Sequence, residues 1–422
     1  MRGKNGRLVL IGVAAVAILA TVLITVGRPG AARASDRWIG TWAAAQHAAG
    51  TSGLSKTGFN NQTIRMTVHT SIGGRAVRIR LSNEFGTTPL TVGEVTVGLA
   101  DRHDHARVPT VHRVTFSGHP TVVVGTGAVM LSDAVNMAIP ALGDVTVSLW
   151  LPQATGPTTF HTVSRTTSYT GRGDDAENVS GAAFSPISLA NPIPGKTDSP
   201  WFYLSGIDVL NDSANGAVVV FGDSISDGFT SGLGVNGRWP DLFAKRLHAL
   251  PADRRAPAVL NASLSGDALG HQTTVVPQLG PDALSRFGGD VLGQTGARTV
   301  IMQLGINDIL IWNDNAQAII AEMRQVAIKA HEAGLRIFVC TLSPWKGSTT
   351  WTPAGEKTRQ LVNQFVRSTT DFDGYVDVDR TLRDPDDQVR LRPGYDSGDH
   401  LHPTPLGYQA MADAMPIDKI IA

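Results

Sequence analysis

The hydrophobic pattern of this chain changes twice along its length. Residues 8–26, "LVLIGVAAVAILATVLITV", are nineteen uncharged and mostly aliphatic positions in one block. From about 38 to 200 the apolar positions alternate with polar ones in short segments rich in Val, Thr and Ile, such as "QTIRMTVHTS", "RAVRIRLSN", "LTVGEVTVGLA" and "DVTVSLWLP". Gly, Pro and Asn separate these segments, a pattern that predicts many short antiparallel strands packed as a sandwich. From about 215 the runs become nearly continuous: "AVVVF", "APAVLNA", "RTVIMQLG", "LRIFVC" and "GYVDV". Such runs suit parallel strands covered on both faces. Between them lie "RWPDLFAKRLHAL", "AQAIIAEMRQVAIKAHEAG", "AGEKTRQLVNQFVRSTT" and "TPLGYQAMADAM", with apolar residues at helical spacing. Strand–helix alternation of this kind predicts a three-layer α/β domain. The polar, turn-rich stretch 171–200 reads as a loop or linker. The expected division is therefore a mostly antiparallel, jelly-roll-like β-sandwich over 36–200 and an α/β domain over 201–422.

The first apolar block has a basic start, "MRGKNGR", and is followed by Ala32-Arg33-Ala34, small residues of the kind signal peptidase reads. Residues 1–34 are thus expected to be a secretory signal cleaved near Ala34. The run is also long enough to span a bilayer, so an uncleaved membrane anchor is the alternative. Either reading puts the body of the protein outside the cytoplasm, secreted or held at the outer face of the membrane. Loss of Arg2, Lys4, Arg7, Arg28 and Arg33 leaves 31 basic against 36 acidic residues, a formal net charge of −5. That balance argues against nucleic acid as a partner. The one cysteine, Cys340, has no internal disulfide partner. It ends the apolar run "LRIFVC" and is expected to be a buried strand residue.

Candidate chemistry gathers where the parallel strands should end, since ligands in such sheets sit beyond the carboxyl ends of the strands. "VVVFGDSISDGFT" (218–230) places Ser224 just after the first apolar run. An alcohol is a weak nucleophile at neutral pH and needs a base, an orienting acid and donors for the oxyanion. "DHLHP" (399–403) offers Asp399, His400 and His402 just before the last helix. Other catalytic patterns are absent from the sequence. Ser226, not glycine, stands two after Ser224, so there is no Gly-x-Ser-x-Gly elbow. There is no His-Glu-x-x-His, no cysteine-rich zinc set and no glycine-rich phosphate loop with its lysine. No metal site and no cofactor are expected.

Four blocks together resemble the SGNH/GDSL hydrolases (esterases and lipases), and in particular exported bacterial two-domain members. "FGDSISDG" looks like the first block, and "NASLSGDALG" stands where the second, with its glycine, belongs. "LGIND" matches Gly-x-Asn-Asp, and "DHLHP" matches Asp-x-x-His-Pro. They occur in the family's order over about 215–415. "WIGTWAAAQ", "RIRLSNEFG" and "TFHTVSRTTSY" resemble the N-terminal region of the longer members but carry no catalytic signature. The resemblance implies a flavodoxin-like α/β fold and a secreted carboxylic ester hydrolase using Ser-His-Asp catalysis. It makes Ser224 the nucleophile, His402 the base and Asp399 the acid that holds the imidazole. The oxyanion hole it implies comprises the backbone N–H groups of Ser224 and Gly266 and the side-chain amide of Asn307. Asp223 is expected to order the turn rather than act in catalysis and Asp308 to be structural, while the family pattern gives the base to His402 rather than His400. One position departs from the family, which often has Asn where this chain has Asp267. That carboxylate is expected either to face the acyl group or to turn into its own loop and bond the backbone.

Phe229, Trp312, Trp345 and Trp351, with Asp267, are the candidate lining of a substrate pocket, and Trp239 is expected to be core. These residues permit small acyl or acetyl esters, a carbohydrate O-acetylesterase, or a lysophospholipase or thioesterase. The expected partner is accordingly a small-molecule or glycan ester. A monomer is expected, touching membrane only if the N-terminal segment is retained. A reading from another class is a carbohydrate- or surface-binding protein on an inactive hydrolase fold. The first domain either binds polysaccharide or packs against the second to complete the cleft.

Overall fold

The computed structural model describes residues 37–101, 104, 106–190, 197–271 and 280–422. The expected signal or anchor, 1–34, lies outside the described residues. Among those described, no helix is long and apolar enough to cross a membrane.

The first half consists mainly of two antiparallel sheets, consistent with the expected sandwich. A six-stranded sheet runs Ser185–Ile187, Ser168–Arg172, Gln62–His69, Asp144–Leu151, Glu94–Leu99, His112–Val114. A four-stranded sheet runs Trp38–Ala43, Leu204–Leu210, Val77–Ser82, Val129–Leu131. Alternation sets the register. Ile64, Met66 and Val68 face Leu149, Val147 and Val145 across one ladder, and all six are buried in the core. Shifting the pairing by one residue would turn this whole set to the other face.

Two expectations about this half need correction. The stretch 171–200 is not a linker in its first part. Thr63, Arg65 and Thr67, on the opposite face of Gln62–His69, are also buried, and 171–187 lies over them. A buried guanidinium must find acceptors for its donors. Arg65 gives its hydrogens to Ser148 Oγ at 3.0 Å and to the carbonyls of Ala106 at 2.5 Å and Asn178 at 2.6 Å. Thr63 Oγ1 donates to the Gly173 carbonyl at 2.7 Å, and Ser185–Ile187 adds a strand at the sheet edge. Nor does the second domain begin at 201. Leu204–Leu210 lies between Trp38–Ala43 and Val77–Ser82, with Val209 opposite Ile39 and Ile207 opposite Ile79. Every residue of that strand is buried, Asp208 through its ion pairs with Arg78 and Arg80, and both its neighbours are antiparallel.

The second half is the expected α/β fold. Its five parallel strands stand in the order Ala258–Asn261, Ala217–Gly222, Ala297–Gln303, Arg336–Cys340, Gly374–Val376. Numbered along the chain this is the flavodoxin-like order 2-1-3-4-5, which places the crevice between the first and third strands. There Val220 pairs with Ile301 and Gly222 with Gln303. Helices Trp239–His248, Ala316–Glu332, Pro353–Ser368 and Pro405–Ala414 accompany the sheet. Ala316–Glu332 buries Ile319, Met323, Val326, Ala327 and Ala330, the spacing of one helical face. Asn315 caps its start by accepting from the Gln317 and Ala318 N–H groups. Cys340 is buried, as its strand position implies.

Residues 36–422 pack as one unit. Strand Trp38–Ala43 lies against the edge strand Ala258–Asn261. The Gly40 N–H reaches the Thr295 carbonyl at 2.9 Å, and a Cβ at Gly40 would stand 2.9 Å from a methyl of Leu260. The antiparallel half thus packs against the parallel sheet at this side, and Ser71 Oγ accepts the Val259 N–H at 3.0 Å.

Candidate active site

The strand Ala217–Gly222 ends at the crevice and turns at once into the short helix Ser224–Asp227. Asp223 caps that helix, its side chain accepting from the Ile225 N–H at 2.9 Å. The cap fixes Ser224 as the first helical residue, with its N–H directed out of the helix. Asp223 is completely enclosed, and burial, with the charge of Asp308 adding to it, pushes its carboxyl up to about 7. Trp239 is core, with its Nε1 donating to Ser226 Oγ at 3.1 Å and Gln303 Oε1 at 3.2 Å.

Ser224 Oγ lies 2.7 Å from His402 Nε2, and His402 Nδ1 lies 2.6 Å from Asp399 Oδ2. The chain runs in one direction: the serine hydroxyl donates to Nε2, and Nδ1–H donates to the carboxylate. The backbone N–H groups of His402 and Leu401 also donate to Asp399 Oδ1, at 2.8 and 2.9 Å. Burial alone would raise the Asp399 carboxyl. The hydrogen bond and charge of His402, with those two N–H groups, outweigh it and hold the group well below the usual carboxylate range. His402 is buried, and its ring packs on Phe229 with centroids 4.8 Å apart. His400 turns away: its Nδ1 bonds Asp396 at 2.6 Å and its φ is 62°.

Three N–H groups are candidate oxyanion donors: those of Ser224 and Gly266 and the Asn307 amide. Gly266 has φ 85°, in the left-handed region where only glycine is relaxed. Neither its N–H nor that of Ser224 is given to an acceptor among the described residues. Asn307 is the second residue of the helix Ile306–Leu310, which opens on Gly305 at φ 117°. Its Nδ2 gives one hydrogen to the Asp267 carbonyl at 2.7 Å, leaving the second for a ligand. Asp308 Oδ1 accepts the Leu269 N–H at 2.9 Å. The Asn307-Asp308 pair therefore holds the loop that carries Gly266.

The structure joins Ser224, His402 and Asp399 in one hydrogen-bonded chain and ties Asn307 to the loop of Gly266, while the candidate pocket residues have differing surroundings. Phe229 touches the site through His402. Trp345 is fully buried and is a core residue, not a rim. Trp351 is half-buried, with Lys346 Nζ 5.9 Å from its ring centroid. Trp312 stacks on His271 at 4.6 Å. Asp267 neither faces an acyl group nor bonds its own loop through its side chain. It is buried in an ion pair with Arg286, which also donates to the Ala262 carbonyl at 2.6 Å and the Gly222 carbonyl at 3.2 Å. A buried carboxylate needs a partnered cation, and no spacing in the sequence marked Arg286, nineteen residues away, as that cation.

Asp308, Asp314 and Glu322 converge behind Asn307, with ligand oxygens within 4.8 Å of one another. All-oxygen donors of this kind would suit a hard divalent cation. His271 bonds Asp314 at 2.6 Å. The carboxyls of Asp308 and Glu322 are pushed up to about 6 and about 7, in each case first by burial and then by neighbouring acids. Glu322 is separated from Asp308 by more than a helical turn and a loop, which is why the sequence did not join them.

With this geometry in view, the comparisons decide the family. Residues 220–410 match the model of the GDSL-like lipase/acylhydrolase family. This part of the chain is a domain of that family. Solved structures similar to the chain include a GDSL-like lipase from Bacteroides thetaiotaomicron VPI-5482, 20% identical, with a TM-score of 0.35 over 49% of this chain and 88% of that one. A carbohydrate acetylesterase family member from Sinorhizobium meliloti is 14% identical, with a TM-score of 0.40 over 49% and 98%. The aryl esterase of M. smegmatis is 15% identical, with a TM-score of 0.39 over 49% and 99%. No curated protein matches the chain. The GDSL-like domain spans all four sequence blocks and ends just before the last turns of the chain. The antiparallel half lies outside it.

Proposed function

We propose that this chain is an exported serine ester hydrolase that cleaves small acyl or acetyl esters through a covalent acyl-enzyme. The observation that carries the reading is the unbroken chain from Ser224 Oγ to His402 at 2.7 Å and on to Asp399 at 2.6 Å, beside donors not yet spent. Ser224 Oγ attacks the ester carbonyl while its proton passes to His402 Nε2. The negative charge that develops on the carbonyl oxygen is met by the N–H groups of Ser224 and Gly266 and the free amide hydrogen of Asn307. Collapse breaks the ester C–O bond, and His402 returns the proton to the departing alcohol. Water then attacks along the same path, giving its proton to His402, and collapse releases the acid as His402 returns the proton to Ser224 Oγ. Asp399 stays ionised throughout, which suits a depressed carboxyl that stabilises the imidazolium.

Export rests on the basic start and the nineteen-residue apolar block. A monomer acting on a small-molecule or glycan ester remains the expectation. An intact nucleophile, base and acid argue against a binding protein on a silenced hydrolase fold. Turnover of p-nitrophenyl acetate by the purified protein and its Ser224→Ala form tests the reading. Loss of at least about 10⁴-fold in kcat is expected, and undiminished activity in the variant overturns the assignment.

A further inference from the structure

The nucleophile helix is held from below by a residue of the other half of the molecule. His161 lies in the block "TFHTVSRTTSY" on the strand Phe160–His161 and is buried. Its Nδ1 meets the Ala45 carbonyl at 2.8 Å. Its Nε2 meets Asp227 Oδ1 at 3.0 Å and the Val163 carbonyl at 3.2 Å. Every one of these partners is an acceptor, so the ring satisfies them only by donating from both nitrogens. The neighbouring His47 is the opposite case. Its Nε2 accepts from Thr162 Oγ1 at 2.7 Å, and burial first of all lowers its imidazole to about 3.

Asp227 passes the contact on. It is the last residue of the helix that begins with Ser224. Its second carboxylate oxygen accepts from Ser265 Oγ at 2.7 Å, and Ser265 immediately precedes Gly266. Arg238 braces the same junction, donating to the Asp227 carbonyl at 2.7 Å and to the Val163 and Ser164 carbonyls at 2.7 and 2.6 Å. Burial would raise the Asp227 carboxyl, but His161, Arg238 and the Ser265 hydroxyl together hold it below its ordinary value. Asp227 is thus an ionised, buried hub with one oxygen on the antiparallel half and the other on the oxyanion loop. Such a hub keeps its geometry only while its charge is balanced.

We infer that His161 is a positioning residue for catalysis: acting through Asp227 and Ser265, it sets the Gly266 N–H against the oxyanion. The antiparallel half thereby completes the active site without touching substrate. The inference rests on the ester-hydrolase reading above. Removing His161 leaves one side of Asp227 facing carbonyls and no donor, and the Ser265 anchor shifts with it. A displacement of the oxyanion donor acts on the transition state more than on substrate binding.

The test uses the whole chain with His161→Ala and, separately, Ser265→Ala, which removes the last link without disturbing the seam between the halves. With p-nitrophenyl acetate, kcat is expected to fall about 30-fold in His161→Ala and about tenfold in Ser265→Ala, with KM within about twofold of wild type. Affinity for a trifluoromethyl ketone, which forms a tetrahedral oxyanion on Ser224, should weaken in step with kcat. A merely structural role would leave that affinity, measured per folded molecule, unchanged. If His161→Ala does not fold, Ser265→Ala alone decides. Wild-type kcat in folded Ser265→Ala, or a raised KM at unchanged kcat in either variant, overturns the inference and leaves the hydrolase reading intact. A wild-type protein without Ser224-dependent turnover overturns both.

Discussion

The polar face of the strand Gln62–His69 and the strand ends around Ser224 use their buried polar groups to opposite ends. In the antiparallel half Thr63, Arg65, Thr67, Thr146 and Ser148 are all buried. They satisfy one another or nearby carbonyls: Thr67 meets Thr146 at 2.8 Å, and Arg65 spends its hydrogens on Ser148, Ala106 and Asn178. At the strand ends of the parallel half several buried polar groups have capacity unspent. The Ser224 and Gly266 N–H groups, the second hydrogen of Asn307 and one oxygen of Asp308 have no acceptor or donor among the described residues. Saturated networks hold a shape, while unsaturated ones mark where a ligand or a transition state is expected. His161 joins the two regimes, since it completes a saturated network whose far end is an unspent donor.

The largest expected effect that separates the halves is Asp399→Asn. It should lower kcat about 10⁴-fold, because a neutral amide neither holds the imidazole in the right tautomer nor balances its charge. Thermal stability should scarcely change, because the Asp399 side chain is 40% exposed. Steady-state kinetics beside a melting curve would check it, and a large loss of stability would erase the distinction between the halves.

Arg65→Met should show the reverse. The stem still packs, but the Ala106 and Asn178 carbonyls lose their donor under the 171–187 cover. About 2 kcal/mol of stability should be lost in urea denaturation, partly offset because burial already disfavours the charged guanidinium, lowering it to about 10. kcat per folded molecule should stay at the wild-type value. A fall in kcat matching that of His161→Ala would mean that the whole antiparallel half, not one residue, tunes the site.

The smallest effect belongs to Glu322→Gln, measured in buffer containing a chelator. The folded Glu322 carboxyl is raised to about 7 from an ordinary 4.5, so the folded state holds that proton more tightly than the unfolded one. The resulting cost is absent below about 4.5, grows between the two values and is full above 7. Glutamine removes it. The variant should therefore melt about 1–2 °C above wild type at pH 8, with the difference vanishing near pH 4.5. A constant difference across pH would detach Glu322 from the carboxylate cluster.

Much of this was legible before any coordinates. Alternation against continuous apolar runs separated the two kinds of sheet, because a strand buried on one face and a strand buried on both leave different periods. Failure came where burial was achieved by unusual means. Leu204–Leu210 has both faces covered and so fell on the wrong side of the boundary drawn at 201. The 171–187 segment looked solvated because much of its hold on the sheet is through backbone carbonyls. Trp345 read as a rim residue because a tryptophan after a strand end has no sequence mark that separates cover from core.

The residues around Ser224 follow the same division. Sequence alone picked out the groups proposed as nucleophile, base, acid and oxyanion donors, since they sit in compact blocks whose local turns dictate their backbone. Only the tertiary structure decided what those groups lean on. His161 and Asp227 are 66 positions apart, and Asp267 and Arg286 are 19 apart. The chain between such partners leaves their separation open until the sheets pack. Burial then requires each charge to find its partner, and the packed fold determines which partner that is.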